Sequence, residues 1–238
     1  MIRVRRSADR GRFRNHWLDA RFSFSFGDCQ DRAFDGYSDL LVLNEDHVAP
    51  GGGFAEHGHR DVEVMSYPIS GAVEHRDSLG NVAILRPNDV HLMRAGRGIR
   101  HSEMNASQHD PEHHLQWWIR PSVSGLEPGY QRLSVRAEDK FNRWRVLASP
   151  SGEDDSLVVA QDVRVLAAIV DGTSLTYRPA AGRRVLLHLV AGQAAVGSEW
   201  LVAGDGAFIE GEIPVVSNPL QGAAAEVLGQ EGLGCGVH

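Results

Sequence analysis

Apolar residues in this chain come in short runs punctuated by glycine- and proline-rich turns, a pattern that suits strands and leaves little room for helices. Leu40–Leu43, Glu63–Ile69, Val82–Leu85, Val90–Met93 and Leu115–Ile119 all have strand lengths. Between them stand Pro50-Gly51-Gly52-Gly53, Leu79-Gly80-Asn81, Arg86-Pro87-Asn88-Asp89 and Gly96-Arg97-Gly98. Such segments make the turns that join antiparallel strands. Helical periodicity is sparse, so the expected fold is all-β, a sandwich or barrel with at most short helices.

The chain has 238 residues, room for one large β domain or two of about 100 residues each. An internal repeat selects two. Tyr67-Pro68-Ile69-Ser70-Gly71-Ala72-Val73 resembles His188-Leu189-Val190-Ala191-Gly192-Gln193-Ala194. Downstream, Leu85-Arg86-Pro87-Asn88-Asp89-Val90 answers Leu201-Val202-Ala203-Gly204-Asp205-Gly206, with an intervening loop five residues shorter in the second copy. The break in apolar runs between Pro121 and Lys140 places the division there, giving an N-terminal domain of residues 1–125 and a C-terminal domain of residues 126–238.

Two pairs of polar residues carry the chemistry. His57 and His59 are one residue apart, and His101 and Glu103 repeat that spacing about forty residues later. Residues at i and i+2 of a strand point to one face, so two adjacent strands bring all four together as a metal site. A helix would instead space its ligands by three or four. Counting from the shared Gly and Asp of the repeat puts Arg178 and Ala180 opposite His57 and His59, and Ser217 and Pro219 opposite His101 and Glu103. The second domain therefore lacks the ligands, and the expectation is about one metal per chain. His109, Glu112, His113 and His114 also cluster in sequence, but Asp110-Pro111 marks a turn, and they are read as a solvated loop. His75 and His91 are expected on strands near the first domain's core, with either able to face the metal pocket, and Phe54, Met65, Met93 and Trp117 as core residues or pocket lining.

Charge excludes some partners. With 24 basic and 31 acidic residues the formal charge is −7, which offers no footprint for direct nucleic-acid binding. Arg3, Arg5, Arg6, Arg10, Arg12 and Arg14 make the N-terminus locally basic and are read as a solvated edge. No window approaches the roughly 18 apolar residues that span a bilayer. Two cysteines, Cys29 and Cys235, do not make a disulfide framework and fit a reducing cytoplasm; two unpaired thiols are expected, with a single bridge left open.

These residues carry a family resemblance. Gly51, His57, His59, Glu63 and Gly71 follow the first cupin motif, and Gly98, His101 and Asn105 follow much of the second, with Val90 and Gly96 where a Gly and a Pro are usual. The stretches His75-Arg76-Asp77-Ser78-Leu79-Gly80-Asn81 and Ala95-Gly96-Arg97-Gly98-Ile99-Arg100-His101-Ser102-Glu103 resemble the pirin family more specifically. Trp17, Phe22-Ser23-Phe24-Ser25-Phe26, Leu43-Asn44-Glu45-Asp46 and Gln116-Trp117-Trp118-Ile119 extend the match through the first half, and the second half matches loosely. The resemblance implies two tandem cupin domains, each a jelly-roll β-barrel, with the N-terminal one holding a metal through His57, His59, His101 and Glu103. Glu63, the ligand position of many other cupins, would then be displaced and would orient a histidine. Gly58 stands between the histidines where the family more often has proline, which loosens the backbone.

Bacterial members of that family are similar to quercetin 2,3-dioxygenases, which open the flavonol ring with dioxygen and release carbon monoxide. The resemblance thus implies a small aromatic substrate, dioxygen, and Glu103 as the group that takes the substrate's hydroxyl proton. The cofactor is one divalent metal ion, with iron(II) first and Zn, Ni, Co, Mn and Cu fitting the same ligands. The alternative is a metal- or redox-sensing regulatory protein that binds protein partners, as pirins of higher organisms are described.

Overall fold

The computed structural model describes residues 1–211, 215–219 and 224–233. Among these, helix is confined to Ala137–Lys140 and the short turns Ser7–Asp9 and Glu153–Asp155. Strands Leu40–Val48, Glu63–Ser70, Val82–Leu85, Asp89–Arg94 and Glu112–Ile119 contain the apolar runs that predict them. Glu112–Ile119 starts earlier than its apolar run, so His113 and His114 lie on a strand; the solvated-loop reading holds for His109 alone. Gly71 takes φ +72 and a Cβ on it would stand 2.7 Å from the Pro111 carbonyl oxygen, so the turn that follows strand Glu63–Ser70 packs closely on the start of Glu112–Ile119.

The two halves have one architecture. Each has a four-stranded sheet, Gly53–His59, Ile99–Asn105, Val73–Asp77 and Val82–Leu85 in the first, Thr173–Thr176, Val215–Asn218, Gln193–Val196 and Glu199–Val202 in the second, in matching order. Each also has a seven-stranded sheet, and Gly192 repeats the role of Gly71, with φ +76 and a Cβ that would meet the Ala224 carbonyl oxygen at 2.7 Å. These are the two cupin domains. They exchange edge strands: Ile2–Arg5 pairs with Gly206–Glu210 in the C-terminal sheet, and Gly129–Ser134 pairs with Asp89–Arg94 in the N-terminal sheet. Each exchange covers the equivalent open edge and ties the domains together.

The solvated-edge reading holds for Arg3, Arg6, Arg12 and Arg14, which are exposed, and is corrected for the other two N-terminal arginines. Arg5 and Arg10 are buried. The Arg5 guanidinium lies 3.9 Å from the Phe34 ring centre, and Arg10 donates to Glu45 Oε2 at 2.5 Å.

Apolar burial is greatest between the domains, where the two large sheets meet. Leu43, Met65, Leu115 and Trp117 from one sheet pack with Leu147, Val165, Leu186 and Phe208 from the other. Each fully buried side chain of this kind contributes about 1.5–3 kcal/mol. Met65 and Trp117 therefore belong to the core, as does Met93, which packs with Val64 and Ile99. The barrel interiors differ. Leu187, Val196, Ala207 and Val227 fill the C-terminal barrel, whereas the N-terminal barrel buries Ser66, His75, His91 and His114. A polar interior needs partners or a ligand, and among the described residues these histidines set the N-terminal barrel apart.

Candidate metal centre

The Gly96-Arg97-Gly98 turn, with φ +47 and +143 at its glycines, delivers the chain into strand Ile99–Asn105. That strand pairs antiparallel with Gly53–His59, so His101 lies directly opposite His57. A register shift then sets Glu103 opposite Phe54, a bulge of the kind that re-aims side chains beside sites. His57 and His59 share one face, as do His101 and Glu103, and three imidazoles converge. The ligand atoms of His57, His59 and His101 all lie within 4.8 Å of one another, and His101 Nε2 is 3.1 Å from His57 Nε2.

The electronic state of these rings fits a cation. His57 Nδ1 donates to the Ala55 carbonyl oxygen at 2.8 Å, which leaves its Nε2 lone pair aimed at the other two. His59 Nε2 is buried with no hydrogen-bond partner, a cost that a metal ion at the convergence would remove. Burial, with the neighbouring His57, pulls the His59 pKa down to about 4. Burial likewise brings His101 down to about 3, against the opposing pull of Glu103. Both rings are neutral at pH 7, the state in which imidazole ligates.

Glu103 shares the His101 face and lines the same cavity as His57, but its carboxylate sits with a second group. It accepts from Ser66 Oγ at 2.9 Å and Gln116 Nε2 at 2.6 Å, and His91 Nε2 is 3.3 Å away. His75, directly opposite Glu103 on strand Val73–Asp77, completes a buried His75, His91, Glu103 group. Burial alone would raise the Glu103 pKa; the His91 imidazole beside it and the other nearby imidazoles outweigh it and hold the carboxyl well below the usual range. The four expected ligands thus divide, with three imidazoles on one point and Glu103 beside it among donors. His75 and His91 face this interior, and His91 Nδ1 and His75 Nδ1 are buried without partners. The signal for them in the sequence is period-two alternation, His75 and Asp77 following Val73 inward on one strand.

Glu63 lies outside this group. Its oxygens accept from Arg94 Nε and from the Ala160 backbone N–H, both at 2.6 Å, so it ties the domains together and orients no histidine.

The centre lies on a cavity of about 860 Å³. Its walls are aromatic: Trp17 and Phe54 meet edge to face at 5.2 Å, Phe26 and Trp118 at 5.4 Å, and Trp118 stands against His59 at 4.9 Å. Phe54 is the one residue of the expected lining set that reaches it. Asn44, Asp46, Gln116 and Glu103 are among the polar residues of its lining, a composition typical of small-molecule sites.

The pirin family model matches residues 2–119. A quercetin 2,3-dioxygenase from Escherichia coli (strain K12) is 36% identical over 210 residues, spanning 88% of this chain and 90% of its own. The chain belongs to the pirin family. A pirin-like protein of Caulobacter vibrioides is 36% identical over 211 residues, or 87% of this chain and 90% of that one. The crystal structure of bacterial pirin YhhW from Escherichia coli in complex with nickel(II) has a TM-score of 0.91 at 32% identity, covering 98% of this chain and 100% of that chain. Residues 146–228 match the quercetinase C-terminal cupin domain. No helix among the described residues is long and apolar enough to cross a membrane. Cys29 is at the cavity and makes no disulfide among the described residues; Cys235 lies outside them.

Behind the cavity of this pirin, His114 sits between two carboxylates. Its Nδ1 is 2.7 Å from Glu112 Oε1 and its Nε2 3.6 Å from Asp46 Oδ2. Burial would lower its pKa, but the charge and hydrogen bond of Glu112, with Asp46 and Glu103, raise it to about 10. Because the folded value exceeds the unfolded value near 6.5, His114 contributes stability that is complete below pH 6.5 and disappears as pH rises through about 10. Urea unfolding of the metal-free protein at several pH values should show this alkaline loss, and His114→Gln should flatten it. Equal slopes in the two proteins would mean that His114 is not charged in the fold.

Proposed function

We propose that the chain is a metal-dependent dioxygenase of the quercetin 2,3-dioxygenase type, with His57, His59, His101 and Glu103 as the ligands of one divalent ion in the N-terminal domain. The observation that carries the reading is the convergence of three imidazoles, with Glu103 as a carboxylate beside them, on the polar part of an aromatic-walled cavity. The name of the Escherichia coli relative supports the same chemistry. The residues suit iron(II) first for its redox chemistry, and nickel(II), the ion in the YhhW crystal structure, binds the same donor types more tightly. When bound, the ion supplies Lewis acidity toward a flavonol hydroxyl and the redox partner that dioxygen requires.

The protein's own contribution is placement. Trp17, Phe54, Phe26 and Trp118 would stack on a flat ring system and keep water from it. Glu103, whose Oε2 is held by Gln116 and whose Oε1 is held by Ser66, would receive the hydroxyl proton as the substrate enters. Gln116 is itself fixed, since its Oε1 accepts from Trp118 Nε1 at 2.9 Å. In the net reaction one dioxygen is incorporated, the central ring opens to an ester and one carbon leaves as carbon monoxide, with no external reductant.

The test is headspace carbon monoxide. Anaerobically purified protein, loaded with iron(II) or nickel(II), is mixed with quercetin and then given air, with His57→Ala as control. Carbon monoxide from the wild type alone is the expected result. None from fully metallated protein would overturn the dioxygenase reading and turn attention to partners whose affinity follows the state of the metal.

A further inference from the structure

The arrangement that builds the first centre recurs once more on the outer face of the N-terminal barrel, toward the C-terminal domain. In strand Leu40–Val48, Asn44 and Asp46 point to the cavity, so Glu45 and His47 point the other way. His113 lies directly opposite His47 on the paired strand. Two residues at i and i+2 with a histidine opposite one of them is the relation of His57, His59 and His101. The ligand atoms of Glu45, His47 and His113 also lie within 4.8 Å of one another. His113 Nε2 is 3.0 Å from Glu45 Oε1, and the His47 and His113 rings stack at 3.9 Å.

The group lines a cleft of about 370 Å³ whose far wall is Val190, Ala203 and Gly204 of the C-terminal domain. His47 is exposed, so a solute ion reaches the group. A second observation comes from that far side. His188 is 2% exposed, both its ring nitrogens lack hydrogen-bond partners, and its Nε2 stands 3.8 Å from Glu45 Oε2. A buried imidazole without partners, directed at a carboxylate that two other imidazoles flank, points to an absent ligand. Asp19 faces the same cleft but is held by Arg12 at 3.0 and 2.6 Å.

We propose that this interdomain cleft is a second metal site, in which Glu45, His47 and His113 bind a divalent transition ion with His188 behind the carboxylate. The choice of ion follows from Arg10, which donates to Glu45 Oε2 at 2.5 Å. Its charge offsets that of the carboxylate, which disfavours calcium and magnesium, ions that depend on anionic oxygen. The imidazoles then decide selection, toward zinc, nickel and copper. Because its ligands come from one domain and its far wall from the other, an ion here would report on how the two domains are seated.

Zinc(II) and nickel(II) are the probes, and uptake per chain by the full-length protein is the readout, which needs no substrate and is independent of the dioxygenase reading. In a His101→Ala background, which removes the first centre, one ion per chain is expected. Adding His47→Ala or His113→Gln should lower uptake by that one ion while the circular dichroism spectrum is unchanged, and calcium should not compete. Equal uptake with and without the His47 and His113 changes would overturn the proposal.

Discussion

Replacing His101 with alanine is expected to end carbon monoxide release and to weaken the first centre by more than about 100-fold, because loss even of groups that only orient a ligand costs about 10–100-fold. His101 is the member that faces both others: its Nε2 is 3.1 Å from His57 Nε2, and its ring lies 4.9 Å from that of His59. The fold should survive. The C-terminal cupin reaches the same architecture with Ser217 paired to Ser174 across the equivalent strands, their hydroxyls 2.7 Å apart, and no imidazole there. The imidazole of His101 is also buried and neutral, with Nδ1 unpartnered, so its removal relieves a polar cost while it opens a small cavity. Elemental analysis and circular dichroism check the two halves of the expectation. A His101→Ala protein that retained the ion at wild-type affinity would remove His101 from the ligand set.

Gly53→Ala should have the largest effect on stability at the site. Gly53 has φ +147, and a Cβ there would stand 2.5 Å from Met104 Cα and 2.6 Å from the Glu103 carbonyl oxygen. Those atoms are backbone and cannot turn aside. Strain at such a φ with overpacking against a strand amounts to about 2–5 kcal/mol, and relief requires moving Ile99–Asn105 away from Gly53–His59, which separates His101 from His57. Urea unfolding should therefore show a large drop in midpoint together with weaker metal retention. Gly58→Ala, between His57 and His59 on the same strand, is the contrast: its nearest neighbour would be 3.8 Å away, and a change within about 0.5 kcal/mol is expected. Equal losses in the two variants would show that close approach at Gly53 is not what holds the bulge.

The difference between these glycines bears on how far the site is legible before folding. Both stand in the His57 motif, yet only the bulge opposite Glu103 makes one of them indispensable. The same holds for the histidines. His57, His59 and His101 are legible because their spacing and their strand context are local. His75 and His91 are ambiguous in the sequence, since a histidine on a strand has a face but no stated neighbour until registers are set. His113 was legible only as part of a polar cluster next to Asp110-Pro111, and the loop reading failed because the strand begins at Glu112, where Gly71 brings a neighbouring turn against it.

What the sequence by itself determined is therefore local in origin: strand lengths, turn positions, the i and i+2 spacing of ligands, and the repeat that makes two domains of one architecture. These follow from backbone periodicity and steric limits that act within a few residues. Tertiary structure alone decided which residues meet. It buried Arg5 and Arg10 by sending Ile2–Arg5 to the other domain's open edge. It turned Glu63 to Arg94 and Ala160, set Glu103 among Ser66, Gln116 and His91, and joined Glu45, His47 and His113 at a cleft with His188 opposite. The physical reason is that register and domain contact are settled by the burial of whole sheet faces, a sum over residues far apart in the chain that no short stretch contains.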